Sequence, residues 1–265
     1  MIGQGVRELL GVPVDRRSLN ELIAAAMNAV RHRGESFSLA CANPHSLVVA
    51  RSDRPFRLAL RSASAVVADG VGCRIGAALA GVPIGPRITG FDFYMALMSA
   101  LQASGGGRAF FFGSSANVLM AIRERASDDF PGVVVDTLSP PFGEWDAAQN
   151  VEFIERINAA GPDVLWIAMT APKQERWMAA NAGALQVPVI GCIGAVFEYY
   201  AGTVRRAPEW VCDLGLEWLY RLAGEPQRLW RRTLLSAPTF LWASLSQRLS
   251  QPSAPAEEIS PPYAG

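Results

Sequence analysis

One pattern limits the folds open to this chain more than any other. A short apolar run, a turn of small residues and a helical stretch follow one another, and the unit recurs at least four times. Phe37–Ala42 reads as a strand, with helix from about His45. Ala65–Ala68 ends in Asp69-Gly70-Val71-Gly72. Ala109–Phe112 ends in Gly113-Ser114-Ser115 and leads into a helix over Ala116–Ala126. Val133–Val135 precedes a helix over Ala147–Ala159, and Val164–Ala168 precedes one that begins near Lys173. Val187–Ile193 is the last convincing strand. Strands alternating with helical patterns predict an α/β body around a parallel sheet. Upstream, Leu19–Val30 reads as a helix with Leu22, Ile23, Ala26 and Val30 on one face; Ser18 can cap it and Glu21 completes a capping box.

Ligands of such sheets bind at the carboxyl ends of the strands, so the residues that follow strands are the candidates for chemistry. Asp69 is placed as a general base, or as a turn residue bonding its own backbone. Gly113, Ser114 and Ser115 stand at a strand-to-helix turn, where N–H groups and hydroxyls can hold phosphate; capping by Ser115 is the alternative. Asn43 is either a ligand for a hydroxyl or a helix cap. Gln174, in Pro172-Lys173-Gln174-Glu175, can bond a sugar or a base. Arg87 lies in a rigid loop, Gly85-Pro86-Arg87-Ile88-Thr89-Gly90, and can neutralise a leaving diphosphate or simply be exposed. Gly70-x-Gly72-x-x-x-Gly76 is one residue too long for the dinucleotide fingerprint, which leaves small-residue packing as the better explanation.

After Gly202 the pattern turns wholly helical. Arg205–Arg232 carries six arginines against four acids, with Trp210, Trp218 and Trp230 among them. Arginine forks suit phosphate oxygens, and tryptophan favours the water–lipid boundary. A solvated Arg face on an ordinary helix pair is the plainer account. Val211, Leu214, Trp218 and Leu222 recur at helical spacing and can pack on the body. Arg228, Arg231 and Arg232 share a face, and Pro226 and Pro238 divide the helix. The expected division is a catalytic body over 1–202, a basic Trp-rich appendage over 203–250 that closes over the site and touches lipid, and a disordered tail over 251–265.

Bulk properties remove several classes. Formal net charge is zero, which argues against a general nucleic-acid surface. Cys41, Cys73, Cys192 and Cys212 are scattered, and His32 and His45 are the only histidines, so no zinc spacing exists. No D-x-D occurs; arginine would have to neutralise phosphate, and neither metal nor cofactor is expected. The longest apolar stretch, Leu234–Leu245, is too short to span a bilayer but can lie in its interface. Only 18% of residues are charged, which allows a homo-oligomer.

Taken together, Ala42-Asn43-Pro44-His45, Ala68-Asp69-Gly70-Val71-Gly72, Arg87-x-x-Gly90-x-Asp92, Pro140-Pro141-Phe142, Pro172-Lys173-Gln174-Glu175, Arg206-Ala207-Pro208-Glu209-Trp210 and Gly215-Leu216-Glu217-Trp218-Leu219 resemble the WecG/TagA/CpsF family of bacterial glycosyltransferases. The resemblance runs from Leu10 to about Arg232. It implies a Rossmann-like body with a helical appendage. It also implies metal-independent, inverting transfer of a sugar from a UDP donor to a polyprenyl-diphosphate-linked acceptor, at the cytoplasmic face of the membrane. The sugars implied are N-acetylmannosamine, N-acetylmannosaminuronate or glucose, for cell-surface polysaccharide. Asp69 resembles the family's base, Asn43, Arg87 and Gln174 its pocket residues, and Arg221, Arg228 and Arg231 its basic appendage. Cys41 stands where members often carry Thr, and a thiol is the weaker hydrogen-bond partner. Phe197-Glu198 replaces the usual Phe-Asp, keeping the carboxylate one methylene further out. The rival readings are a Rossmann-type oxidoreductase and a non-catalytic membrane-surface scaffold.

Overall fold

A parallel sheet forms here because its strands are apolar on both sides. All residues of Ala65–Ala68, Val164–Ala168 and Val189–Cys192 are buried, as expected of strands covered by helices on both faces. The computed structural model describes residues 7–213, 216–224, 226–227 and 236–250. A small antiparallel hairpin, β1 (Arg7–Leu9) and β2 (Val12–Val14), opens the chain. There follow α1 (Leu19–His32), β3 (Phe37–Ala42), α2 (Pro44–Ser52), α3 (Arg54–Ser62), β4 (Ala65–Ala68), α4 (Val71–Ala80) and α5 (Gly90–Ala103). The central part holds β5 (Gly107–Gly113), α6 (Ala116–Asp129), β6 (Val133–Leu138), α7 (Ala147–Ala160), β7 (Val164–Ala168), α8 (Lys173–Asn181) and β8 (Val189–Cys192). Short helices α9 (Val196–Tyr200), α10 (Glu209–Asp213) and α11 (Glu217–Gly224) come next, and α12 (Ser236–Ser250) is the last described element.

The main sheet has six strands in the order β4-β3-β8-β7-β5-β6, all parallel. The α/β expectation with C-terminal helices therefore holds, although this order is not the 3-2-1-4-5-6 arrangement of the dinucleotide-binding fold. Alternation along each strand feeds two apolar layers. Phe111, Val164 and Trp166 pack under α1, α5, α6 and α9. Phe110, Phe112, Leu165 and Ile167 pack under α7 and α8, while Ala40, Ala42, Val66 and Ala68 meet α2, α3 and α4. Ser18 and Glu21 form the expected capping box.

Helix α12 is built into the body. Phe240 of α12 is buried in the same apolar cluster as Ala77 of α4 and Leu47 of α2. Gln247 donates to Glu8 O and accepts from Leu10 N. Pro238 lies near the start of the described part of α12, and the residues just before Ser236 lie outside the described residues. Of the residues expected to pack on the body, Val211 is buried but Trp218 is 46% exposed. Leu214, Trp230, Arg232 and the tail after Ser250 lie outside the described residues.

Candidate active site

A cleft of about 570 Å³ opens at the carboxyl ends of the strands. Cys41 and Asn43 follow β3, Asp69 follows β4, Ser114 follows β5, Met169 and Thr170 follow β7, and Gly194 follows β8; all line it. A second, mostly apolar cavity of about 380 Å³ adjoins it, walled by Pro44, Ile75, Trp218, Phe240 and Leu241. Asn43, Asp69, Glu217 and Arg221 line both.

Asp69 is the hinge of this arrangement. Its backbone N–H donates to Ala42 O at 2.7 Å, extending the pairing of β4 with β3 by one bond and fixing the carboxylate at the strand end. Burial pushes its acid up to about 6, with Glu217 adding to the rise and Arg221 and Arg87 opposing it. A carboxyl group near this value is ionised at neutral pH yet still a useful base. Burial, with Asp69, Glu175 and Asp92 nearby, also pushes the Cys41 thiol well above its ordinary value, so Cys41 is neutral.

Other candidates take roles that the chain alone left open. Asn43 caps α2, its side-chain oxygen accepting from Ser46 N at 3.0 Å, and still lines the cleft. Ser114 has a positive φ of 56° and donates through Oγ to Glu198 Oε1 at 3.2 Å. This ties β5 to α9 across the cleft and accounts for the carboxylate at position 198. Ser115 caps α6. Gly113 lines neither cavity: its φ is 122°, and a Cβ there would overlap the carbonyl of Ala168, so its glycine serves close approach to β7. Gln174 is buried, accepts from Met169 N and donates to Glu175 Oε1 at 2.8 Å. Arg87 lines the apolar cavity and pairs with Glu217 at 2.8 Å. Arg221 lies over the Tyr199 ring at 5.4 Å. Arg228 and Arg231 lie outside the described residues.

Four lining residues were not among the sequence candidates. Arg206 stacks on Phe91 at 4.4 Å and lies 3.6 Å from Asp92. Glu217 touches both cavities. Lys173 lies 3.6 Å from the centre of the Trp145 ring, and both line the cleft mouth beside Phe142. Arg206, Glu217 and Lys173 fall inside the motifs quoted above, which was the available signal; nothing in the chain marked Trp145.

Two glycines of the Gly70-x-Gly72-x-x-x-Gly76 run serve packing. A Cβ on Gly72 would come within 2.6 Å of Pro44, and one on Gly76 would overlap the Phe240 ring. This is a packing seam between α4, α2 and α12. Among the described residues no group of three or more His, Cys, Asp or Glu is disposed to hold a metal ion, and no helix is long and apolar enough to cross a membrane.

Residues 7–254 match the sequence model of the Glycosyl transferase WecG/TagA/CpsF family. The chain belongs to this family. Among its relatives is a protein of Bacillus spizizenii named N-acetylglucosaminyldiphosphoundecaprenol N-acetyl-beta-D-mannosaminyltransferase, 31% identical over 77% of each chain. Proteins with the same name from Bacillus subtilis (27% identical, 77% of each chain) and Staphylococcus aureus (23% identical, 89% of this chain and 90% of the relative) are also similar. Family membership makes this cleft, with a carboxylate, several cations and an apolar annex, the place to look for glycosyl transfer.

Proposed function

We propose that the protein transfers a sugar, with inversion and without a metal, from a UDP-sugar to a polyprenyl-diphosphate-linked acceptor. The donor sugar is of the N-acetylmannosamine, N-acetylmannosaminuronate or glucose type, and the names of the relatives favour the first. The observation that carries the reading is that Asp69 borders at once a cleft lined in part by charged and polar side chains and a mostly apolar cavity. The donor occupies the cleft. The acceptor reaches Asp69 from the apolar side, where its lipid end is accommodated by Pro44, Ile75 and Leu241.

In one displacement the acceptor hydroxyl attacks the anomeric carbon. Asp69 takes its proton as the new C–O bond forms, and the electron pair of the breaking bond leaves on the UDP diphosphate. Arg206 and Arg221, which line the cleft, stabilise that charge, with Arg87 approaching from the adjoining cavity, each contact being worth roughly 2–4 kcal/mol in the barrier by comparison with other preorganised donors. The exposed apolar residues Trp218 and Leu219 on α11 and Leu241, Trp242, Leu245 and Leu249 on α12 support attachment to the cytoplasmic membrane surface, where such an acceptor resides.

The test is incubation with a panel of UDP-sugars and short-chain lipid-diphosphate acceptors in metal-free buffer, following UDP release and the glycolipid product. Transfer from one of the three donor types is expected. UDP-sugar hydrolysis without glycolipid, or no turnover with any donor, overturns the reading.

A further inference from the structure

The segment between β6 and α7 walls one end of the cleft, and the displacement just described makes no use of it. Its Phe142 lines the cleft and is 84% exposed. Single exposed apolar residues are ordinary on a protein surface. This one is set apart by its place on a cleft wall and by how its segment is held. Upstream, Ser139 Oγ donates to Ser114 O at 2.8 Å, tying the segment to the end of β5. Pro140 and Pro141 then restrict the backbone. Downstream, Lys173 Nζ donates to Gly143 O, and Trp145 packs on Phe112 and Phe153 with ring centres 6.2 and 5.5 Å apart.

Among the described residues four aromatic rings line the cleft, and three of them have a cation over them: Arg206 on Phe91, Lys173 on Trp145 and Arg221 on Tyr199. Phe142 is the fourth. Strand order fixes which end of the cleft it occupies. Asp69 follows β4, one edge of the sheet, and Phe142 follows β6, the other edge. Five strand spacings of about 4.8 Å put the two edges roughly 24 Å apart. Arg221 meets Tyr199 of α9, which follows β8, the third of the six strands. A nucleotide sugar with its anomeric carbon at Asp69 and its diphosphate at Arg206 and Arg221 therefore carries its nucleoside toward β5 and β6.

We infer that the Phe142 ring is the platform on which the nucleobase of the donor stacks. This deepens the nucleotide-sugar reading of the cleft and rests on it. Stacking covers an apolar face of each partner and asks no hydrogen bond of the protein. A ring whose segment is already tied down on both sides loses little freedom when the base arrives.

The experiment uses the full chain, with UDP, inorganic pyrophosphate and 5-iodouridine diphosphate as probes. Calorimetry gives affinities for the parent, Phe142→Ala and Phe142→Tyr. The ring stands outside the core, so its removal should leave the fold intact. Phe142→Ala is expected to bind UDP roughly tenfold more weakly, within the range that a base–aromatic stack is worth, and to bind pyrophosphate as the parent does. Phe142→Tyr keeps a stacking face and should stay within about threefold of the parent for UDP. Unchanged UDP affinity in Phe142→Ala, an equal loss for pyrophosphate, or a tyrosine variant no better than the alanine one overturns the inference alone. Irradiation of the parent with 5-iodouridine diphosphate should label the peptide that holds residues 139–145; labelling confined to other segments also overturns it, and this measurement needs no variant. A parent protein that does not bind UDP overturns the donor reading, and this inference with it.

Discussion

Asp69→Asn should be inactive and, at neutral pH, more stable than the parent. The carboxyl group is raised to about 6 chiefly by burial, so the fold favours its protonated form. Between the ordinary carboxylate range and about pH 6 the folded chain binds more protons here than the unfolded one, and stability falls as pH rises through that window. Carrying the ionised group above about pH 7 costs about 3 kcal/mol, from roughly 1.4 kcal/mol per pH unit of displacement. Asparagine resembles the neutral acid and avoids that cost. The variant should gain a few kcal/mol at about pH 8, which for a chain of this size raises Tm by several degrees. The gain should shrink to about half at pH 5 and nearly vanish at pH 4. Turnover should fall by roughly 10²–10⁴, the usual contribution of a general base. In the parent, kcat/KM should rise with pH through about 6 as Asp69 ionises. Chemical denaturation of both proteins across this pH range, with UDP release as the activity assay, tests the argument. Equal stability at about pH 8, or a difference that does not shrink on acidification, would refute burial as the cause. Activity within tenfold of the parent would remove Asp69 as the base.

Three further outcomes are expected. Gly76→Ala drives a methyl into the Phe240 ring and should destabilise the protein by about 1–3 kcal/mol, read as a lower denaturation midpoint; an unchanged midpoint would show that α12 yields freely. Prolonged dialysis against EDTA should leave UDP release unchanged, and restoration of lost activity by magnesium would contradict charge neutralisation by arginine. Replacing the exposed Trp242 and Leu249 by serine together should weaken binding to anionic phospholipid vesicles in a sedimentation assay while leaving thermal stability within about 1 kcal/mol of the parent; undiminished vesicle binding would move the lipid contact elsewhere.

The sheet was legible in the sequence because its strands are short, apolar and bounded by turn residues. Phe37–Ala42, Ala65–Ala68 and Val164–Ala168 have the bounds their composition predicts. Helix α5 was not legible: Phe93, Tyr94, Leu97 and Met98 are buried, and the partly buried Phe91 and Met95 pack against the same cluster, so the apolar stripe is too broad to show a clear period. Strand order was also out of reach, since pairing of β3 with β8 is decided by packing between residues some 150 positions apart, as in the register Leu39↔Gly191. In the site, residues directly after strands could be anticipated from the α/β pattern. Arg206 and Glu217 come from segments whose approach depends on how helices return over the sheet, which local pattern does not encode. Gly113 shows the converse error: a glycine at the right place for phosphate serves backbone contact with β7.

The position of β8 has a consequence for the continuity of the site. Asn43 and Asp69 belong to one pair of strands, Ser114 and Met169 to a group of three, and β8 is the wedge that joins the two sets. Among the described residues it is also the last strand in chain order. Without it, and without Gly191 admitting the Trp166 ring over its bare Cα, the two sets would have no shared rim. The sheet edge under the cleft is therefore continuous only with β8 in place, and α11, later in the chain, adds Glu217 and Arg221 to the rim.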